Sequence, residues 1–221
     1  MTKFNLKKTY KNLNWTSLFL ALVGVVLVAV GTAINFCANL GNDAVSVLFA
    51  GISNRFNINL GIAVYLINAI AFLISLVYGR KNIGIGTIMY IFLTGRIIDA
   101  IVLVYNQFYP VQSLVFRVIC AIFGSLVMIF GASLMVFSRT GADVWTAMAI
   151  TIADSFNKDF RKVKVVIDCA MCLFGFLLGG KVGVVTITVS LFGAPLLKFI
   201  VKKLEKTKIR LNKRQVIDSN M

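Results

Sequence analysis

The chain repeats itself at an interval of about 100 residues, and this limits its architecture more than any other feature. Gly31-Thr32-Ala33 returns as Gly131-Ala132-Ser133, and Leu40-Gly41-Asn42-Asp43-Ala44 returns as Thr140-Gly141-Ala142-Asp143-Val144. Ile52, Phe56 and Asn57 return as Ile152, Phe156 and Asn157, and Gly79 returns as Gly179. After a one-residue deletion, Gly84, Thr87 and Ile88 return as Gly183, Thr186 and Ile187. A unit of this length is too long for a solenoid repeat. It is the size of half a membrane transporter built by duplication.

Composition sets the solvent. Of 221 residues 59% are hydrophobic and the mean hydropathy is +0.89, beyond the roughly 45–50% apolar content of soluble domains. The net charge of +15 does not indicate a nucleic-acid partner. The lysines and arginines gather at the two ends and in short loops, as they do on the cytoplasmic side of membrane proteins. Cys37, Cys120, Cys169 and Cys172 all lie in apolar segments, so neither a disulfide framework nor a metal site is expected. The chain has no histidine, which removes the commonest general base and metal ligand. No catalytic residue, cofactor or metal is expected.

The expected fold is an all-α polytopic membrane protein of two homologous halves. Each half holds three full spans and one short or re-entrant helix. A basic N-terminus, 1–14, precedes the first repeat, 15–105; a linker, 106–110, leads to the second repeat, 111–204, and a basic tail, 205–221, expected to fray, follows. Full spans are expected from Trp15 to Cys37, Asn59 to Tyr78, Ile83 to Tyr105, Val111 to Phe137, Val163 to Leu178 and Val182 to Leu204, the last interrupted at Gly193-Ala194-Pro195. The segments Asp43 to Phe56 and Asp143 to Phe156 are shorter. A helix of about 14 residues rises about 21 Å, less than the roughly 30 Å of bilayer hydrocarbon.

The direction of the second half relative to the first follows from charge. With both ends inside and the short helices not crossing, nearly all of the 23 lysines and arginines fall inside. A parallel arrangement with four crossings per half also obeys the positive-inside rule, slightly less well. Equivalent loops, however, differ in charge. Asn57 to Leu60 is neutral while Asn157 to Lys164 is basic, and the lead-in to the first repeat is lysine-rich while Gln107 to Gln112 is uncharged. Halves that face opposite sides of a membrane differ in this way, so inverted repeats are expected.

Polar residues inside the apolar segments are the candidate site. Asp43 and Ser46 lie on one face of the first short helix, and Asp143 and Thr146 repeat them. Such a stripe faces protein or a cavity, not lipid. Each aspartate also follows Gly-x at a helix start, where a capping role is the default reading. Asn35 and Arg139 lie near enough in sequence to line the same space. Asn68 and Asp168 occupy matching mid-span positions, and Lys164, one turn before Asp168, is its candidate partner. Arg96 and Asp99, three apart inside one span, read either as a self-neutralising pair or as an ion site. An arginine in the cavity would favour an anionic substrate, and the aspartates oppose that preference.

These residues carry a resemblance. Ala38-Asn39-Leu40-Gly41-Asn42-Asp43-Ala44-Val45-Ser46-Val47-Leu48 with Gly51-Ile52-Ser53, together with Gly61, Asn68, Ile83-Gly84-Ile85-Gly86-Thr87, Gly95 and Ile98-Asp99, resembles the YczE/YitT group of bacterial membrane proteins. The likeness runs over nearly the whole chain. It departs from the group where Asp43 and Arg96 stand at positions often held by proline. It implies a bacterial integral membrane protein, often called transporter-like, and supplies no catalytic residues.

The sequence thus reads as a small-molecule permease of the bacterial plasma membrane, in contact with the lipid bilayer. A non-transporting accessory or scaffold protein serving another complex is the alternative, and a homo-oligomer or a membrane partner is compatible with either. An intramembrane enzyme is disfavoured, since neither H-E-x-x-H nor G-x-S-x-G occurs. With both termini cytoplasmic, Lys208→Cys resists an impermeant thiol reagent in intact cells while Gln107→Cys reacts. Protection at Gln107 together with labelling near Arg80 reverses this topology.

Overall fold

The computed structural model describes residues 14–78, 83–108 and 113–218. Expectations placed on residues 1–13, on the loop 79–82 and on residues 109–112 lie outside them. Eight helices follow one another: α1 (Trp15–Ala38), α2 (Ala44–Phe56), α3 (Leu60–Tyr78), α4 (Ile85–Phe108), α5 (Leu114–Ser138), α6 (Val144–Ser155), α7 (Phe160–Leu177) and α8 (Val184–Asp218). Of these, α1, α3, α4, α5 and α8 are long and apolar enough to cross a membrane. The chain is a helical membrane protein. The second half has two such helices where three were expected. α7 has 18 residues but carries Arg161, Lys162, Lys164 and Asp168 among them, so it falls short in apolar composition.

Three boundaries differ from expectation. α4 runs on through Asn106 and Gln107 to Phe108, into the anticipated linker. α8 is continuous through Pro195. A proline removes one hydrogen bond and crowds the preceding turn, but ending the helix in an apolar setting would strip several backbone groups at once. α8 also continues to Asp218 instead of fraying after Leu204. The segment beyond Pro195 has neither glycine nor proline and is rich in lysine, leucine and arginine, which favour helix.

The centre of the fold is the crossing of α1 and α5. Gly24 lies against Gly131 and Met135, and Gly31 against Gly124 and Met128. Numbers rise along one helix as they fall along the other, so the two run antiparallel. A Cβ on Gly31 would sit 2.5 Å from both the Gly124 carbonyl oxygen and the Met128 nitrogen. Small residues are what allow this approach in a membrane, where apolar side chains gain little by leaving lipid. On either flank α4 packs on α1 and α8 on α5, giving a row α4–α1–α5–α8. The remaining helices close a ring in which α2 packs on α7, α7 on α6, α6 on α3 and α3 on α2.

Two tight turns tie the row to the ring. After α1 the chain turns through Asn39 (φ 54°) and Gly41 (φ 96°); after α5 it turns through Arg139 (φ 58°) and Gly141 (φ 134°). Each turn receives the start of a helix from the other half of the chain. Gly86 donates its N–H to the Thr140 carbonyl, and Val185 donates to that of Leu40. Hence α4 starts beside the end of α5, and α8 starts beside the end of α1. Side chains cannot be added at Gly41 or Gly141, both because φ is positive and because Gly183 and Gly84 press against them.

Overpacking the α1–α5 crossing costs on the order of 1–3 kcal/mol or more. Gly31→Leu therefore lowers the melting temperature in detergent, by about 2–4 °C per kcal/mol for a chain of this size. Gly193→Ala, where an added Cβ meets only ordinary contact at 3.4 Å, leaves it unchanged. Equal melting of the two variants would show that the crossing is not what holds the helices together.

Candidate functional site

Both short helices begin in the interior. Asn42 donates from its side-chain amide to the carbonyl of Thr32, 3.0 Å away and nearly two turns before α1 ends. The turn has therefore brought the chain back along α1 before α2 starts. Asn35, wholly buried, fixes this arrangement by donating to Asn42 (3.5 Å) and to Ser125 of α5 (3.3 Å), and Asn42 in turn accepts from the Asp43 N–H. α6 is placed by α3. Trp145 Nε1 at its start donates to Asn68 Oδ1 in mid-α3 (2.9 Å), while Ser155 at its end donates to the Tyr78 carbonyl where α3 stops (3.1 Å). α6 thus runs from the middle of α3 to its end. α2 lies along the last turns of α7, with Gly51 against Gly175 and Asn54 donating to the Gly179 carbonyl.

The two aspartates cap these helices. Asp43 accepts from the Ser46 N–H and from its hydroxyl; Asp143 accepts from the N–H groups of Trp145 (3.2 Å) and Thr146 (3.0 Å). The capping alternative is therefore realised at both. Capping does not cover them: Asp43, Asp143 and Thr146 keep partial exposure, whereas Ser46 is buried. Tyr90 of α4, 8% exposed, lies within electrostatic range of both carboxylates. Lys164 and Asp168 of α7 act on Asp43 in the same way and form an ion pair with each other. The expected Asp168–Lys164 partnership is present. Asp43, with Asp168 and Lys164, and Asp143 thus lie within electrostatic range of one another or of Tyr90. Ser46 and Thr146 are the cap partners of the two aspartates, and Asn68 adjoins the start of α6 through Trp145.

Asn68 is the least satisfied member. Its oxygen is held by Trp145, which fixes the amide so that the nitrogen points elsewhere. That nitrogen is fully buried and has no partner. A buried donor left unpaired costs about 1–3 kcal/mol. Phe49 stacks obliquely on Trp145, with ring centroids 6.4 Å apart, and closes the apolar side of this corner.

The other candidates lie elsewhere. Asp99 accepts from the Gly61 N–H at 2.6 Å, so it caps the start of α3 and does not pair with Arg96. Arg96 is exposed on α4. The spacing of three brought the two residues onto one face, but an uncapped helix start beside Asp99 is the stronger claim on a carboxylate. Arg139 is exposed and pairs with Glu205 of α8 at 3.2 Å, away from the cavity that sequence proximity assigned to it. Arg117 donates to the carbonyls of Ala38 (2.7 Å) and Asn39 (2.8 Å) at the end of α1. Among the described residues no group of His, Cys, Asp and Glu is placed to hold a metal ion, and the four cysteines are free.

Sequence reasoning missed Tyr90 and Trp145. Neither has a polar counterpart in the other repeat: Val189 stands for Tyr90 and Val45 for Trp145. Their aromatic character blended into the apolar spans. Only a search for residues that break the repeat would have found them.

A match to a family of unknown function, DUF6198, covers residues 15–202. An uncharacterized protein of Haemophilus influenzae is 24% identical over 177 residues, which make up 78% of this chain and 79% of that one. No solved structure matches. The matched family does not carry the YczE/YitT name, so the resemblance stands confirmed only as likeness to bacterial proteins without an assigned activity. The chain belongs to the family of unknown function DUF6198.

Proposed function

We propose that the protein is a small-molecule permease of the bacterial plasma membrane, built from two inverted halves that share one site. The observation that carries this reading is the pair of half-helices. α2 and α6 each begin at a partly exposed carboxylate in the interior, near Tyr90, and run outward along α7 and α3. Broken helices that meet near the midplane are the usual site-forming device of duplicated transporters.

The inverted reading draws support from direction. α1 and α5 are equivalent in the repeat and run antiparallel, and α4 and α8 start beside opposite ends of that pair. The start of α1 and the later part of α8 then share a side with Arg139, Glu205 and the basic start of α7. Positive-inside bias makes that side cytoplasmic and places both termini there.

The halves differ in one contact, and the difference suggests how the site is reached. α3 and α4 pack together: Gly61 touches Gly95 and Asp99, and Tyr65 donates to the Phe92 carbonyl at 2.8 Å. Among the described residues their counterparts α7 and α8 have no comparable packing. With an offset of 100 before the one-residue deletion and 99 after it, Arg161 stands for Gly61, Ala194 for Gly95 and Lys198 for Asp99. A small residue and a carboxylate are thus replaced by two cations, which repel. An open groove of about 540 Å³ lies at the α7–α8 connection, lined by Phe176, Gly179 to Val184 and the turn Asn39 to Gly41, two residues short of Asp43. One flank closed and its counterpart open is the arrangement that alternating access between inverted halves requires.

One observation favours the accessory or scaffold reading: both aspartates cap their own helices, and the Ser46 hydroxyl is engaged by Asp43. The test compares extracellular and intracellular metabolites in cells that lack the protein, express it, or express Thr146→Leu. A second variant, Ser46→Leu with Thr146→Leu, is included with its melting temperature. The permease reading expects one class of metabolite to redistribute with the wild type, and at least tenfold less with Thr146→Leu at equal membrane abundance. If no metabolite moves, or if Thr146→Leu matches the wild type, the scaffold reading takes its place.

A further inference from the structure

We propose that the site takes a small organic amine that also carries a hydrogen-bond acceptor, an inference that rests on the permease reading above. The charges decide the sign. Three carboxylates, Asp43, Asp143 and Asp168, share the polar region with one ammonium, Lys164, and that ammonium is already paired with Asp168. The arginines that could have reversed the balance are directed elsewhere: Arg96 is exposed, Arg139 holds Glu205, and Arg117 holds the end of α1. Each helix start offsets only about half an elementary charge of its aspartate. The region between Asp43 and Asp143 therefore keeps a net negative charge, and both carboxylates remain partly exposed. A monovalent cation complements it; an anion, which bare helix starts would attract, does not.

An ammonium group fits better than a metal ion. The buried aromatics nearby are Tyr90 on α4 and Trp145 at the start of α6, with Phe49 against Trp145, and aromatic rings attract organic cations. The described residues offer no cluster of ligands for a metal.

Asn68 supplies the second half of the description, and independently of charge. Its amide nitrogen is buried, fixed in direction by the Trp145 bond to its oxygen, and lacks an acceptor. It sits beside the first turn of α6, one residue pair from Asp143. A carbonyl or hydroxyl oxygen on the ligand meets that nitrogen while the ammonium lies toward the aspartates.

Binding is tested on the purified full-length protein by melting temperature and calorimetric titration with four probes. Glycinamide carries both groups, ethylammonium only the cation, acetamide only the acceptor, and acetate the opposite charge. Glycinamide is expected to bind most tightly, at least tenfold more so than ethylammonium, with acetamide and acetate without effect. Asp43→Asn and Asp143→Asn keep a capping side chain but lose the charge. They are expected to weaken glycinamide at least tenfold without unfolding. Asn68→Asp removes the amide donor and is expected to abolish the preference for glycinamide over ethylammonium. Binding of acetate, or glycinamide affinity unchanged in both aspartate variants, overturns the amine. An unchanged preference in Asn68→Asp overturns the acceptor contact and leaves that nitrogen to a structural water. Absence of binding by all four probes overturns the ligand class. The metabolite comparison above uses no chosen probe, so it reports on transport separately.

Discussion

The close crossing of α1 and α5 is the constraint from which the rest of the arrangement follows. Gly24 and Gly31 face Gly131 and Gly124, and no side chain separates the backbones. In lipid the gain comes from dense packing of small surfaces, since apolar side chains are as comfortable outside as inside. Because an offset of 100 turns the Gly24–Gly131 pair into the Gly124–Gly31 pair, the crossing relates the two halves directly. It fixes the ends of α1 and α5 at opposite faces, and each end carries a turn that re-enters the protein. The starts of α2 and α6 are placed by those turns, and the polar region lies between them.

The turns are held by pairing between halves. Leu40 receives the start of α8 and Thr140 receives the start of α4, so neither half completes its own turn. This reciprocity gives the site a physical basis for coupling. In the proposed site, a ligand drawing Asp43 toward Asp143 would act on the turn beneath each, and through them on the starts of α8 and α4. α4 packs on α3; among the described residues α8 has no comparable packing on α7. The two flanks are chemically unlike, with Gly61 and Asp99 on one and Arg161 and Lys198 on the other.

What was legible in the sequence was whatever leaves a local mark. The helices show as apolar runs, and the short ones as runs too brief to cross, with Gly41 and Gly141 before them. Asp43 and Asp143 announced a cap by their position alone, and Asp168 with Lys164 by their spacing. The continuity of α8 through Pro195 was not legible, because a proline rule drawn from water understates the cost of ending a helix in lipid. Nor was the fate of Asp99. Its partner, the Gly61 N–H, lies 38 residues away, and only the α3–α4 packing brings it near. Tyr90 was hidden for the same reason: nothing in α4 shows that two aspartates from different halves will face it.

The residues that depart from the repeat are the ones that give the site its character. A strictly symmetric pair of halves would present the same groups twice and could distinguish neither side nor substrate. Trp145 in place of Val45 occupies the oxygen of Asn68, and Asn68 in place of an aspartate leaves a donor instead of a charge. Tyr90 in place of Val189 brings a hydroxyl within electrostatic range of both carboxylates. The repeat thus offers a frame, two short helices and two caps, while departures in both halves, Asn68 and Tyr90 in the first and Trp145 in the second, supply the asymmetry that the proposed recognition of a small, two-ended molecule requires.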